Sequence, residues 1–82
     1  MTRYFFHVHN GVSILDDIGL ELPDITAAQA AAIELTRKIL DEPDGPLWQD
    51  NSWRVEVSGS PRGGGEAFLM IRISVARRNA AV

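Results

Sequence analysis

The chain has 82 residues, 45% hydrophobic and 23% charged, with a net charge of −3 and no cysteine. That length supports one hydrophobic core, hence one domain over residues 1–82. The absence of cysteine excludes disulfides, thiolate zinc sites and a cysteine nucleophile, and suits the reducing cytoplasm. Eight Lys and Arg against eleven Asp and Glu argue against nucleic acid as a partner, which calls for a concentrated basic surface. The closest basic groupings are only Arg37-Lys38 and Arg77-Arg78. No stretch approaches the roughly twenty apolar residues of a membrane span, and the N-terminus has no apolar run of signal-peptide type.

Arg3-Tyr4-Phe5-Phe6-His7-Val8-His9 concentrates aromatic and β-branched residues and predicts a strand. Asn10-Gly11 suits a two-residue type I′ hairpin, whose central residues both take φ > 0. That turn sets His9 opposite Val12, His7 opposite Ile14, Phe6 opposite Leu15 and Phe5 opposite Asp16. Opposed residues share a face. Tyr4, Phe6, Val8, Ser13 and Leu15 then form the core face. Phe5, His7, His9, Val12, Ile14 and Asp16 form the other. Asp16-Asp17-Ile18-Gly19 reads as a bend whose acidic side chains satisfy local backbone N–H groups. Leu20 to Leu22 resumes the strand, and Pro23, with no N–H to donate, ends the ladder.

Helix formers fill residues 27–42. Asp24 caps this helix, or Thr26 does with Gln29 closing a capping box. Ile25, Ala28, Ala32, Leu35 and Ile39 fall on one stripe, flanked by Ile33 and Leu40. Glu34, Arg37, Lys38 and Asp41 lie opposite. Pro43 stops the helix near Asp41 or Glu42. Residues 43–52 have loop chemistry, with Leu47 and Trp48 expected to fold back as a lid on the core. Trp53 to Ser58 alternates strictly and predicts a half-buried strand. A glycine-rich connection over 59–65 leads to a last strand, Ala67 to Val75. Its Leu69, Ile71, Ile73 and Val75 share one face, and Phe68, Met70, Arg72 and Ser74 the other. The ordered core runs from about residue 3 to 75, and the tail 76–82 frays.

The fold class is therefore α+β: a ββαββ chain forming a four-stranded, mainly antiparallel sheet with one helix on one face. One helix leaves the second face bare. By parity that face carries Phe5, His7, His9, Arg54, Glu56, Phe68, Met70 and Arg72, together with Ile14. A contiguous patch of this kind marks an interaction surface.

Candidate chemistry is sparse. His7-x-His9 places both imidazoles on one strand face, with Asp16 or Glu56 as a further ligand, but catalytic zinc takes three protein ligands. Catalysis by these histidines needs a positioned nucleophile and a pocket, and a one-helix sheet has little depth for one. Asp16-Asp17 lacks the ligand spacing of a calcium loop. Arg62-Gly63-Gly64-Gly65 lacks the lysine and the following helix of a phosphate-binding loop. Phe5 and Phe68 beside Arg54 and Arg72 resemble a single-stranded RNA platform, although the charge opposes it. No cofactor, metal or catalytic residue is assigned.

Arg3-Tyr4-Phe5-Phe6-His7-Val8, the Asp17-x-Gly19 step, Leu22-Pro23-Asp24 and the alanine-rich helix resemble a family of short bacterial proteins, common in proteobacteria, known only as a domain of unknown function. Its opening is similar to R-Y-[FY]-F-H, followed by D-x-x-G-x-x-[LF]-P-[DS]. The resemblance covers residues 3–40, with a looser fit at 53–58, and implies a stand-alone bacterial domain without an assigned reaction. A second similarity, to small antitoxins of the HicB type, rests on topology. The reading that follows is a non-enzymatic, cytoplasmic interaction module, binding a protein partner or itself as a homodimer through the bare face. The alternatives are a metal- or ligand-binding regulator using His7 and His9, and an antitoxin-like regulator.

Overall fold

The computed structural model describes residues 1–10, 13–42, 52–63 and 66–75. The elements are β1 (Thr2–His9), β2 (Ser13–Ile14), β3 (Leu20–Leu22), α1 (Ile25–Leu40), β4 (Ser52–Ser58), a 3-10 turn (Pro61–Gly63) and β5 (Ala67–Ser74). β1 is the hub of an antiparallel sheet ordered β2-β1-β4-β5, and β3 pairs with the opposite end of β1 from β2. The expected architecture, one helix against an antiparallel sheet, is present. The expected four strands become five because the second breaks into β2 and β3. The expectations for Gly11, for Leu47 and Trp48, and for the tail 76–82 lie outside the described residues.

The helix starts where Asp24 takes an extended conformation and its Oδ1 accepts from the Ala27 N–H at 2.9 Å. Asp24, rather than Thr26, is thus the N-cap. Arg37 and Lys38 occupy the last turn, where positive charge complements the helix dipole. Ala28 and Ala32 are fully buried, and their short side chains let α1 settle closely on the sheet. Leu35 and Ile39 extend the contact. Ile25, by contrast, is largely exposed, as are Ile33 and Leu40, so the buried stripe is narrower than the periodicity predicts.

The core lies between α1 and one sheet face. Tyr4, Phe6 and Val8 of β1, Trp53, Val55 and Val57 of β4, and Leu69, Ile71 and Ile73 of β5 line it, together with Val75 just beyond. The alternation read from the sequence holds along β1 and β4. Two features depart from it. First, Val8 pairs with Ile14 and His9 with Ser13. The connection therefore has one residue more than a two-residue hairpin. A one-residue slip exchanges the faces, so Ser13 joins His9 while Ile14 joins Val8 on the helix side. Second, Val57 pairs with Leu69 but Ser58 with Ala67. Phe68 is the extra residue of this bulge. It turns to the helix side and packs edge-on against Tyr4, ring centroids 5.9 Å apart. Phe68 therefore does not share a face with Met70 and Arg72, as strict alternation predicts.

The break between β2 and β3 follows from register. β1 residues pair two positions further along the partner at β3 than at β2, so residues 15–19 leave the ladder. Gly19 ends this excursion at φ 76°, a left-handed conformation that favours glycine. It also lies over Arg3 and Phe5: a Cβ there would stand 2.8 Å from Arg3 Cγ and from Phe5 Cε2. No helix among the described residues is long and apolar enough to cross a membrane. Gly19→Ala is expected to lower the unfolding free energy by about 1–3 kcal/mol through backbone strain and overpacking. Urea denaturation measures this, and an unchanged midpoint would contradict the packing described.

Candidate functional site

The sheet face away from α1 is not uniformly bare. Near its middle, two connections close over it: the excursion 15–19 and the segment from Gly59 through the 3-10 turn. They meet where the Arg62 N–H donates to the Asp16 carbonyl at 3.0 Å. An exposed ion pair at 3.7 Å between Arg62 and Asp17 lies beside this bond. Beneath the two connections, His7 is fully buried and Phe5 is 7% exposed. These two residues, expected on an open face, are interior.

Asp16 organises this cover. One carboxylate oxygen, Oδ2, accepts from the Phe6 N–H at 3.1 Å, standing in for the ladder partner that β1 lacks at that point. The other, Oδ1, accepts from the N–H groups of Ile18 at 3.0 Å and Gly19 at 3.1 Å. The sequence reading of Asp16 as a turn residue satisfying local N–H groups holds, with a long-range bond added. Partial burial disfavours the ionised carboxylate. The N–H groups of Gly19, Ile18 and Phe6 and the field of the His7 ring outweigh it, so the Asp16 pKa lies below its ordinary value.

His7 is held from both sides. The Asp16 N–H donates to Nδ1 at 3.0 Å, so Nδ1 carries no hydrogen. Nε2 lies 3.1 Å from both the Ser60 carbonyl and Ser58 Oγ. A carbonyl can only accept, so the hydrogen sits on Nε2. Ser58 Oγ also donates to the Ser60 carbonyl, at 2.9 Å. A serine, a histidine and an aspartate thus come together in an arrangement resembling a hydrolytic triad. A general base, however, must accept the serine proton. Here Nε2 already carries one, Asp16 meets the ring through its backbone rather than its carboxylate, and the group is buried. The constellation is a structural latch.

His9 and Glu56 form a second pair toward the open end of the face. His9 Nε2 meets Glu56 Oε1 at 2.9 Å, each side chain 15% exposed, and Nδ1 meets Ser13 Oγ at 2.8 Å. The two histidines share a face, as the i, i+2 spacing requires, but both ring nitrogens of each are already engaged by protein groups. Among the described residues no three His, Asp or Glu side chains are grouped to hold a metal. Arg54, Met70 and Arg72 remain exposed on this face. Beside them, an open concavity of about 470 Å³ is lined by His9, Ser52, Arg54, Arg72 and Ser74, with Trp53 and Ile73. Sequence reasoning selected His9, Arg54 and Arg72 and placed Ser74 on their face without selecting it. It missed Ser52, and missed Ser13 because the hairpin register differs by one residue from a two-residue turn.

Two outcomes follow. The Asp16 carboxylate is held below its ordinary pKa, so the stability it adds is present above the unfolded-state value near about 4 and is lost as pH falls through its folded value. Urea midpoints for wild type and Asp16→Asn are expected to converge as pH drops from about 5 to about 2; parallel curves would contradict the assignment. For His7, long-range ¹⁵N–¹H spectra at mildly alkaline pH should show the Nε2–H tautomer. An Nδ1–H pattern would remove the latch.

No curated protein and no solved structure matches this chain. Residues 3–62 match a family described as a domain of unknown function, DUF6894. The match takes in the sheet hub, the helix and the whole Asp16–His7 latch, and the chain belongs to this family.

Proposed function

We propose that the chain is a non-enzymatic interaction module that binds a protein partner or a second copy of itself along β5 and the open part of the face beside it. The observation that carries this reading is the edge strand. β5 pairs with β4 only, and among the described residues nothing pairs with its other side. It runs eight residues, with Phe68 52% and Met70 36% exposed. A long edge with exposed apolar side chains favours strand addition by another chain. The buried latch tautomer supports the non-enzymatic part, because the His7 Nε2 that meets Ser58 already carries a hydrogen and is no free base. A chain without cysteine suits the reducing cytoplasm.

Light scattering over a wide concentration range tests the self-association form. A dimer that dissociates on Met70→Glu, with circular dichroism unchanged, supports it. A folded monomer at all concentrations, unaffected by Met70→Glu, overturns it.

A further inference from the structure

Arginine pairing separates this chain's surface into two parts. Of the arginines in the described residues, Arg3 meets Glu21 at 3.2 Å, Arg37 meets Glu34 at 3.2 Å and Arg62 meets Asp17 at 3.7 Å. Arg54 and Arg72 have no carboxylate partner among the described residues, and they are direct cross-strand neighbours on β4 and β5. His9 of β1 lies in the same row, opposite Arg54. The side-chain row across the sheet is thus Ser13, His9, Arg54, Arg72. Directly opposed like charges destabilise a sheet. Among the described residues, the carboxylate close by on this face, Glu56, is held by His9. On a chain of net charge −3, two positive groups concentrated at one point, without compensation among the described residues, suit a counter-charge.

The surroundings fit a small anion. Arg54, Arg72 and His9 line the concavity of about 470 Å³ together with Ser52 and Ser74, beside Trp53 and Ile73. That volume lies within the usual range of small-molecule sites. Guanidinium groups recognise planar and tetrahedral oxyanions bidentately, and serine hydroxyls supply further donors. Ser52 and Ser74 are themselves paired across β4 and β5, so two adjacent cross-strand pairs present donors from one end of the sheet. The geometry points to a binding site for an oxyanion group, carboxylate or phosphate, between Arg54 and Arg72. The site lies apart from the buried latch.

Titration of the ¹⁵N-labelled full chain with inorganic phosphate and, separately, with succinate, at constant ionic strength, tests this. Saturable shifts of the Arg54 and Arg72 side-chain Nε–H signals, with Arg37 unmoved, are expected. Saturation by phosphate alone identifies a phosphate-type ligand, and saturation by succinate a carboxylate. Arg54→Gln and Arg72→Gln should each weaken binding by about ten- to a hundredfold, and neither removes an ion pair found in the fold. Linear shifts with both anions, equal shifts at Arg37, or unchanged affinity in both variants would overturn the site.

Discussion

The second face of the sheet depends on one carboxylate. The edge partner of β1 cannot run straight, because the register at β3 differs by two residues from that at β2. Residues 15–19 must leave the ladder, and the Phe6 N–H would lose its partner. An unmade backbone bond at a part-buried position is costly. Asp16 resolves this by placing one oxygen on Phe6 and the other on Ile18 and Gly19. Its own backbone then binds the His7 ring and the Arg62 N–H. A single residue joins β1, the broken edge and the connection before β5.

This arrangement gives His7 its meaning. An imidazole at zero exposure must have its nitrogens satisfied, and here the two connections satisfy them. His7 in turn gives both connections a buried anchor, with Ser58 and Ser60 completing the set. The resemblance to a hydrolytic triad is one of composition. Donor directions decide the matter, and they place the hydrogen where a base would need a lone pair. His9, two residues on, sits at the edge of the cover and meets solvent through its pair with Glu56. The same strand face thus passes from interior to surface between these two histidines, and the exposed arginine pair begins where the cover ends.

Much of the fold was legible in the sequence because its signals are local. The aromatic and β-branched run of β1, the alternation from Trp53 to Ser58 and the Asp24 cap before an alanine-rich helix each depend on neighbours within a few residues. The candidate face was legible only in part. His9, Arg54, Glu56, Met70 and Arg72 lie on it. Phe68 does not, because a bulge at Ser58 turns its side chain toward Tyr4. Phe5 and His7 lie on it but under cover, since burial there comes from connections distant in sequence.

The sequence by itself determined the helix and the long strands, two candidates for the helix cap, the apolar alternation that builds the core and the α+β class. These follow from backbone propensity and periodicity, which act over short range. Tertiary structure alone decided the hairpin register, the bulge at Phe68, the burial of His7 and the pairing of arginines with carboxylates. Each of those depends on which distant group satisfies a hydrogen bond or a charge. Asp16 shows the division clearly. Its sequence neighbours mark a turn, but only the folded sheet brings the Phe6 N–H and the His7 ring within its reach.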